Sequence, residues 1–212
     1  MPACVCYCTN RFIFVYETFL RLYMGKRKIV LAVTGASGSI YAKKLLEKLL
    51  KSETLPNEIA VIFSDTARQI WLSEIGKKFT PERPAKEYEN TSYFAPFASG
   101  SSGYDTMIIC PASMGTVGRI ANGTSDGLIA RTADVMLKER RKLIIVPREA
   151  PYSLIHLNNM KTLTLAGAII CPATPFFYSN PKTIDDLVMT VVHRIIDLAG
   201  FSNNGFRWMA ND

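Results

Sequence analysis

Residues 28–50 read KIVLAVTGASGSIYAKKLLEKLL, and this stretch decides the fold. Ile29 to Val33 is a short apolar run rich in β-branched residues, the pattern of a strand buried on both faces. Thr34, Gly35, Ala36, Ser37 and Gly38 turn the chain. Leu45, Leu46, Leu49 and Leu50 then recur at helical spacing, with Lys43, Lys44, Glu47 and Lys48 on the other side. Strand, glycine turn and helix are how an open α/β sheet begins. The N–H groups at the helix start suit an anion above the strand. The spacing is GxxG rather than the GxGxxG of dinucleotide sites, so these residues alone also fit a tight turn without a ligand.

The same alternation continues. Glu58 to Phe63 reads as a second strand, with Ser64 or Asp65 capping a helix to about Glu74. Residues 76–103 are rich in proline, glycine and charge and read as one long loop. Asp105 to Cys110 is a third strand that Pro111 should stop, and Asp126 opens a helix to about Lys138. Lys142 to Val146 is a fourth strand ended by Pro147, and Pro151 suits the first turn of the next helix. Ala168 to Cys171 is a fifth strand, and Thr183 with Asp186 forms a capping box for a last helix to about Leu198. The expected fold is one α/β domain, a Rossmann-like or flavodoxin-like open parallel sheet with helices on both faces.

Length and composition agree. A chain of 212 residues with 48% hydrophobic residues is one domain with an ample core. The net charge of +7 is spread along the chain, which is compatible with nucleic acid and equally with small anionic ligands. No apolar run approaches the length of a membrane span. Cys4, Cys6 and Cys8 lack the paired CxxC spacing of zinc sites and read as thiols of a reducing cytoplasm. Residues 1–23 fail as a signal peptide, because Arg11, Glu17 and Arg21 interrupt the apolar stretch. They are expected to be an extension outside the fold, with Met24 a natural start and residues 24–212 the domain.

Ligands of such sheets bind beyond the carboxyl ends of the strands. Standing there are Gly35 to Gly38, Ser64 and Asp65, Ser113 to Thr116, Arg148 and Glu149, and Thr174, Phe177 and Tyr178. Small hydroxyls, glycines, an arginine and aromatics suit a phosphate plus a flat ring better than a metal.

TGASGS at 34–39, ASGSSG at 98–103, CPASMGT at 110–116, LIARTADVMLKERRKLIIVPRE at 128–149, APYSLIHLNNM at 150–160 and PATPFFY at 172–178 together resemble the flavin prenyltransferases, the UbiX-like family. The resemblance covers roughly residues 26–200. It implies transfer of a dimethylallyl group from dimethylallyl phosphate to reduced FMN without a metal. The product, prenylated FMN, would serve a UbiD-like decarboxylase in ubiquinone biosynthesis or aromatic acid decarboxylation. It implies that Gly35, Ala36, Ser37, Ser64, Ser113, Met114, Gly115, Thr116 and Arg148 hold FMN. It implies that Arg131, Lys138, Glu149, Tyr178 and Arg194 hold the prenyl phosphate. Glu149, Lys138, Ser37, Glu74 and Trp208 are the implied catalytic residues, Trp208 by offering a π face to an allyl cation. A homo-oligomer, commonly a dodecamer with active sites at subunit contacts, is implied as well.

Other readings are weaker. The FMN-dependent cysteine decarboxylases share the fold and a P-A-S-A-N-T motif, but here Gly115 stands in place of the asparagine and cannot orient a substrate carboxylate. A non-catalytic flavin-binding protein leaves Arg131, Lys138 and Arg194 without a purpose. No recognition motif for nucleic acid accompanies the positive charge. His156 and His193, tempting as general bases, read as structural residues on helices.

Overall fold

The computed structural model describes residues 27–52, 56–207 and 209. The expected extension at 1–23, the start at Met24 and Trp208 lie outside the described residues. The described chain runs β1 (Lys28–Val33), α1 (Ser39–Leu50), β2 (Glu58–Phe63), α2 (Asp65–Ile75), β3 (Ala85–Glu89), β4 (Thr106–Ala112), α3 (Met114–Ala121), α4 (Leu128–Lys138), β5 (Lys142–Pro147), α5 (Leu154–Leu165), β6 (Ile169–Ile170) and α6 (Ile184–Ala199). Two 3-10 turns, Pro96–Ala98 and Gly100–Ser102, lie between β3 and β4.

The six strands pair in parallel in the order β3-β2-β1-β4-β5-β6. The chain walks outward from β1 to β3, returns beside β1 as β4, and walks outward the other way. That reversal makes the β1/β4 boundary the switch point, where the crevice of a doubly wound sheet opens. The strand alternation sorts the core into two layers. Ile29, Leu31 and Val33 face α1, α2 and α6. Val30 and Ala32 face α3, α4 and α5.

The structure differs from the expectations at several junctions. Residues 76–103 are not a single loop, because they contain β3 and both 3-10 turns. β3 reads AKEYE and is an edge strand with only Ala85 buried, so it has no apolar run to announce it. β4 is not stopped at Pro111 but continues to Ala112. Its register against β5 shifts between Ile109 and Ala112, and this irregularity accommodates a residue with no N–H to donate. Asp126 does not open α4. The helix begins at Leu128, because Asn90 supplies the acceptors for its first turn. Pro151 precedes α5, whose N-cap is Ser153. The fifth expected strand shortens to Ile169–Ile170. Ser64 caps α2, and Thr183 with Asp186 forms the capping box of α6, as their spacing predicts.

The carboxyl ends of the two central strands are tied together by one buried hydroxyl. Thr34 donates from Oγ1 to the Pro111 carbonyl at 2.9 Å and accepts from the Ser113 N–H at 2.7 Å. The Thr34 N–H also donates to the Pro111 carbonyl at 3.2 Å. The loops after β1 and β4, which carry the candidate flavin residues, are thereby held in one geometry.

Candidate functional site

Three helices begin at the same place. α2 starts behind Ser64, whose Oγ accepts from the Ala67 N–H at 3.2 Å. α3 starts behind Ser113, whose Oγ accepts from the Thr116 N–H at 3.4 Å and lies 3.1 Å from Thr116 Oγ1. α4 starts behind Gly127, where the Asn90 carbonyl accepts from Leu128 N–H at 2.7 Å and Asn90 Oδ1 accepts from Ile129 N–H at 3.0 Å. Residues of all three starts line one cleft of about 300 Å³ beside the switch point. Gly35, Ser64, Ser113 and Thr116 meet there, as the sequence leads one to expect. Helix N-termini carry partial positive charge and unpaired N–H groups, so their convergence favours an anion. A Cβ on Gly35 would lie 2.9 Å from Thr66 Cγ2, so the loop passes α2 only because this residue is glycine. The cleft thus fits the phosphate end of a nucleotide-like ligand such as FMN.

The other expected flavin residues lie elsewhere around that loop. Ala36 is buried, and Met114 packs into the core. Ser37 is exposed at the tip, and Gly115 is exposed on the first turn of α3. Arg148 is exposed beyond β5, and its Cγ approaches Gly38. Arg148 also lies near the Tyr41 phenol, which burial and the Cys110 thiol push above its ordinary range while the guanidinium opposes them.

The N-terminus of α1, the expected anion cradle, is already filled. Glu74, from the last turn of α2, accepts from Gly38 N–H at 3.0 and 3.1 Å and from Ser39 N–H at 2.7 Å. Partial burial raises the Glu74 pKa, but bonds from Ser37, Ser39 and Gly38 outweigh it and hold the carboxyl below the usual range. The resemblance implies a catalytic role for Glu74. The structure adds that it clamps the loop bearing Ser37.

The candidate prenyl-phosphate residues form two separate groups in one chain. Tyr178 and Arg194 line a groove of about 780 Å³ between the 174–181 loop and α6. Phe176 stacks on Tyr178 at 5.4 Å, and Arg207 from the C-terminal segment pairs with Asp197 at 2.5 Å. Arg131 and Lys138 sit on α4, which packs on the opposite layer of the core. Arg131 donates to the Ala98 carbonyl at 3.2 Å and pairs with Asp134 at 3.1 Å, and Lys138 pairs with Glu139 at 2.6 Å. Glu149 is exposed and accepts from the Ala150 N–H at 3.1 Å. Within one chain α4, with Arg131 and Lys138, therefore lies across the sheet from α6, with Arg194, while the expected site was one at subunit contacts.

Sequence reasoning missed Thr66, Asn90, Arg119 and Asp126, which line the cleft. No periodicity or motif marks them, since each is brought in by a different loop or helix. The two histidines serve locally. His156 Nδ1 accepts from the Ser153 N–H at 3.3 Å in the α5 capping box, and His193 is half-buried under Gly205. Among the described residues no group of three or more His, Cys, Asp or Glu side chains is placed to hold a metal, and no helix is long and apolar enough to cross a membrane.

Comparison with known proteins points the same way. A family model described as Flavoprotein matches residues 20–196. A flavin prenyltransferase UbiX of Methanocaldococcus jannaschii is 46% identical over 184 residues, which is 85% of this chain and 98% of that protein. Among solved structures, AnUbiX (PadA1) in complex with FMN and dimethylallyl pyrophosphate aligns with a TM-score of 0.74 at 38% identity. It covers 86% of this chain and 100% of that one. A dodecameric FMN-dependent UbiX-like decarboxylase from Escherichia coli O157:H7 aligns with a TM-score of 0.77 at 37% identity, over the same shares of the two chains.

Proposed function

Because this chain belongs to the Flavoprotein family and, within it, to the flavin prenyltransferases, we propose that it transfers a dimethylallyl group from dimethylallyl phosphate to reduced FMN. The observation that carries this reading is the cleft at the switch point, where three helix starts and the Cβ-less Gly35 make room for a phosphate. Gly35, Ser64, Ser113 and Thr116 would hold the flavin phosphate through hydroxyls and backbone N–H groups. Ala36, Ser37, Met114, Gly115 and Arg148 would border the rest of the flavin. When bound, reduced FMN supplies the nucleophilic ring that accepts the five-carbon unit.

The protein's own part is to release the prenyl phosphate. Breaking an allylic C–O bond puts negative charge on the leaving oxygen, and fixed cations stabilise that charge as it grows. Tyr178 and Arg194 would do this from one subunit. Arg131 and Lys138, confined to the other layer of the sheet, would do it for the site of a neighbour. The surface supports such an assembly. α5 exposes Leu154, Ile155 and Leu165 at 72, 71 and 79%, and only Leu163 of that helix is fully buried. Exposed large apolar side chains grouped on one helix in this way mark a contact surface. A homo-oligomer, with a dodecamer as its expected size, follows. Glu149, beside Arg148, would move the proton that ring closure requires, with Glu74 holding the Ser37 loop in place. Trp208 would offer a π face to the allyl cation.

The product would serve as cofactor of a UbiD-like decarboxylase. A cytoplasmic location suits a reaction that needs reduced flavin, and Cys110 and Cys171 are free thiols. The test is anaerobic incubation of the protein with reduced FMN and dimethylallyl phosphate, followed by mass analysis of the flavin. A gain of one five-carbon unit is expected. Unmodified flavin with a flavin-loaded protein would support the non-catalytic alternative instead.

A further inference from the structure

The cleft lining holds one cation among the described residues, and the resemblance did not assign it. Arg119 sits on the last turn of α3, yet its guanidinium lies 3.4 Å from where a Cβ on Gly115 would stand, so it folds back toward the start of its own helix. That start, Ser113 to Thr116, is the wall of the cleft. Arg119 Nε is held there by Asp126 Oδ2 at 2.7 Å. The two side chains are about half exposed, at 50 and 53%. An exposed pair of this kind adds little to stability, so fold maintenance does not account for it.

Charge balance gives the pair a purpose. Beside Arg119, the lining carries the two carboxylates Asp65 and Asp126. A phosphate monoester brings between one and two further negative charges near neutral pH. Helix N-termini offset part of that charge, but they are partial charges and act within the first turn. Arg119 is the group able to meet the phosphate with a charge-assisted, two-pronged hydrogen bond.

Resting on the flavin reading above, we propose that Arg119 is the specificity-determining cation for the 5′-phosphate of FMN and that Asp126 is its displaceable counter-ion. In the free protein Asp126 holds the guanidinium at the cleft wall. On flavin binding the phosphate competes for the same donors. Arg119 therefore separates FMN from riboflavin, which has the same ring and ribityl chain but no phosphate.

Titration of the full chain with FMN and with riboflavin, each followed by flavin fluorescence, tests this. Arg119→Ala should weaken FMN about 10- to 100-fold while leaving riboflavin unchanged, since hydrogen bonds between charged groups are of that strength. Arg119→Lys should recover part of the loss. Asp126→Asn should tighten FMN and not riboflavin, because it frees the guanidinium and removes a repelling charge. The salt dependence of FMN affinity should flatten in Arg119→Ala. An unchanged FMN-to-riboflavin ratio in Arg119→Ala would overturn the proposal, as would equal loss of both flavins with a lowered Tm, which is the signature of a structural pair. Failure of the parent protein to bind either flavin would instead overturn the flavin reading and this proposal with it. The two failures are thus distinct.

Discussion

Glu74→Ala should loosen the loop that carries Ser37 and measurably destabilise the fold. The Glu74 carboxylate accepts three contacts from two backbone N–H groups at the start of α1, at 2.7 to 3.1 Å, from 35 and 36 residues away. An anion at a helix N-terminus is worth about 0.3–1 kcal/mol when exposed and up to about 2 kcal/mol in partly buried geometry. Glu74 is exposed, so solvent screening keeps the value near the middle, about 1 kcal/mol. For a chain of this size, that corresponds to a Tm lower by about 2–4 °C. The pH dependence has a definite sign. The folded-state pKa is depressed, so the contribution is fully present above the ordinary carboxylate range and is lost as the pH falls through the lower, folded value. Thermal unfolding of the parent, Glu74→Ala and Glu74→Gln at one fixed protein concentration would be followed at neutral pH and at about pH 3, below the ordinary carboxylate pKa. At neutral pH the order of stability should be parent, Gln, Ala. At acid pH the difference between parent and Gln should shrink. A gap of the same size at both pH values would refute the electrostatic clamp, and so would identical midpoints at neutral pH.

Further outcomes follow from the same geometry. Gly35→Val should abolish tight FMN binding, because the first added carbon already stands 2.9 Å from Thr66 Cγ2; flavin titration of the purified variant checks this. Glu149→Gln, at an exposed residue whose carboxylate accepts from its neighbour's N–H, should leave folding and FMN affinity intact and slow turnover by about 100- to 10,000-fold. Stopped-flow absorbance at the parent's rate would remove Glu149 from the mechanism. Ile155→Glu, among the exposed apolar side chains of α5, should break the assembly, which light scattering would report as a smaller particle. A chain beginning at Met24 should keep both its Tm and its activity, and a large loss of either would show that residues 1–23 belong to the fold.

What the sequence by itself determined is local. The buried runs Ile29–Val33 and Glu58–Phe63, the helical leucines after Gly38, and the caps at Ser64 and at Thr183 with Asp186 are legible because periodicity and capping act over a few residues. The identity of the loop residues Gly35, Ser64, Ser113 and Thr116 was legible too, because strand ends of an α/β sheet are where ligands sit. The edge strand AKEYE was not, since an edge buries too little to carry an apolar pattern. Nor could spacing show that Glu74 fills the start of α1, that Asn90 supplies the first turn of α4, or that Asp126 holds Arg119 at the cleft. Each of these depends on the strand order β3-β2-β1-β4-β5-β6, which brings distant loops to one edge. The same order places Arg131 and Lys138 on one layer and Arg194 on the other. The sheet is buried on both faces and admits no side chain through it, so residues assigned to one site fall into two groups, and tertiary structure alone decides that separation.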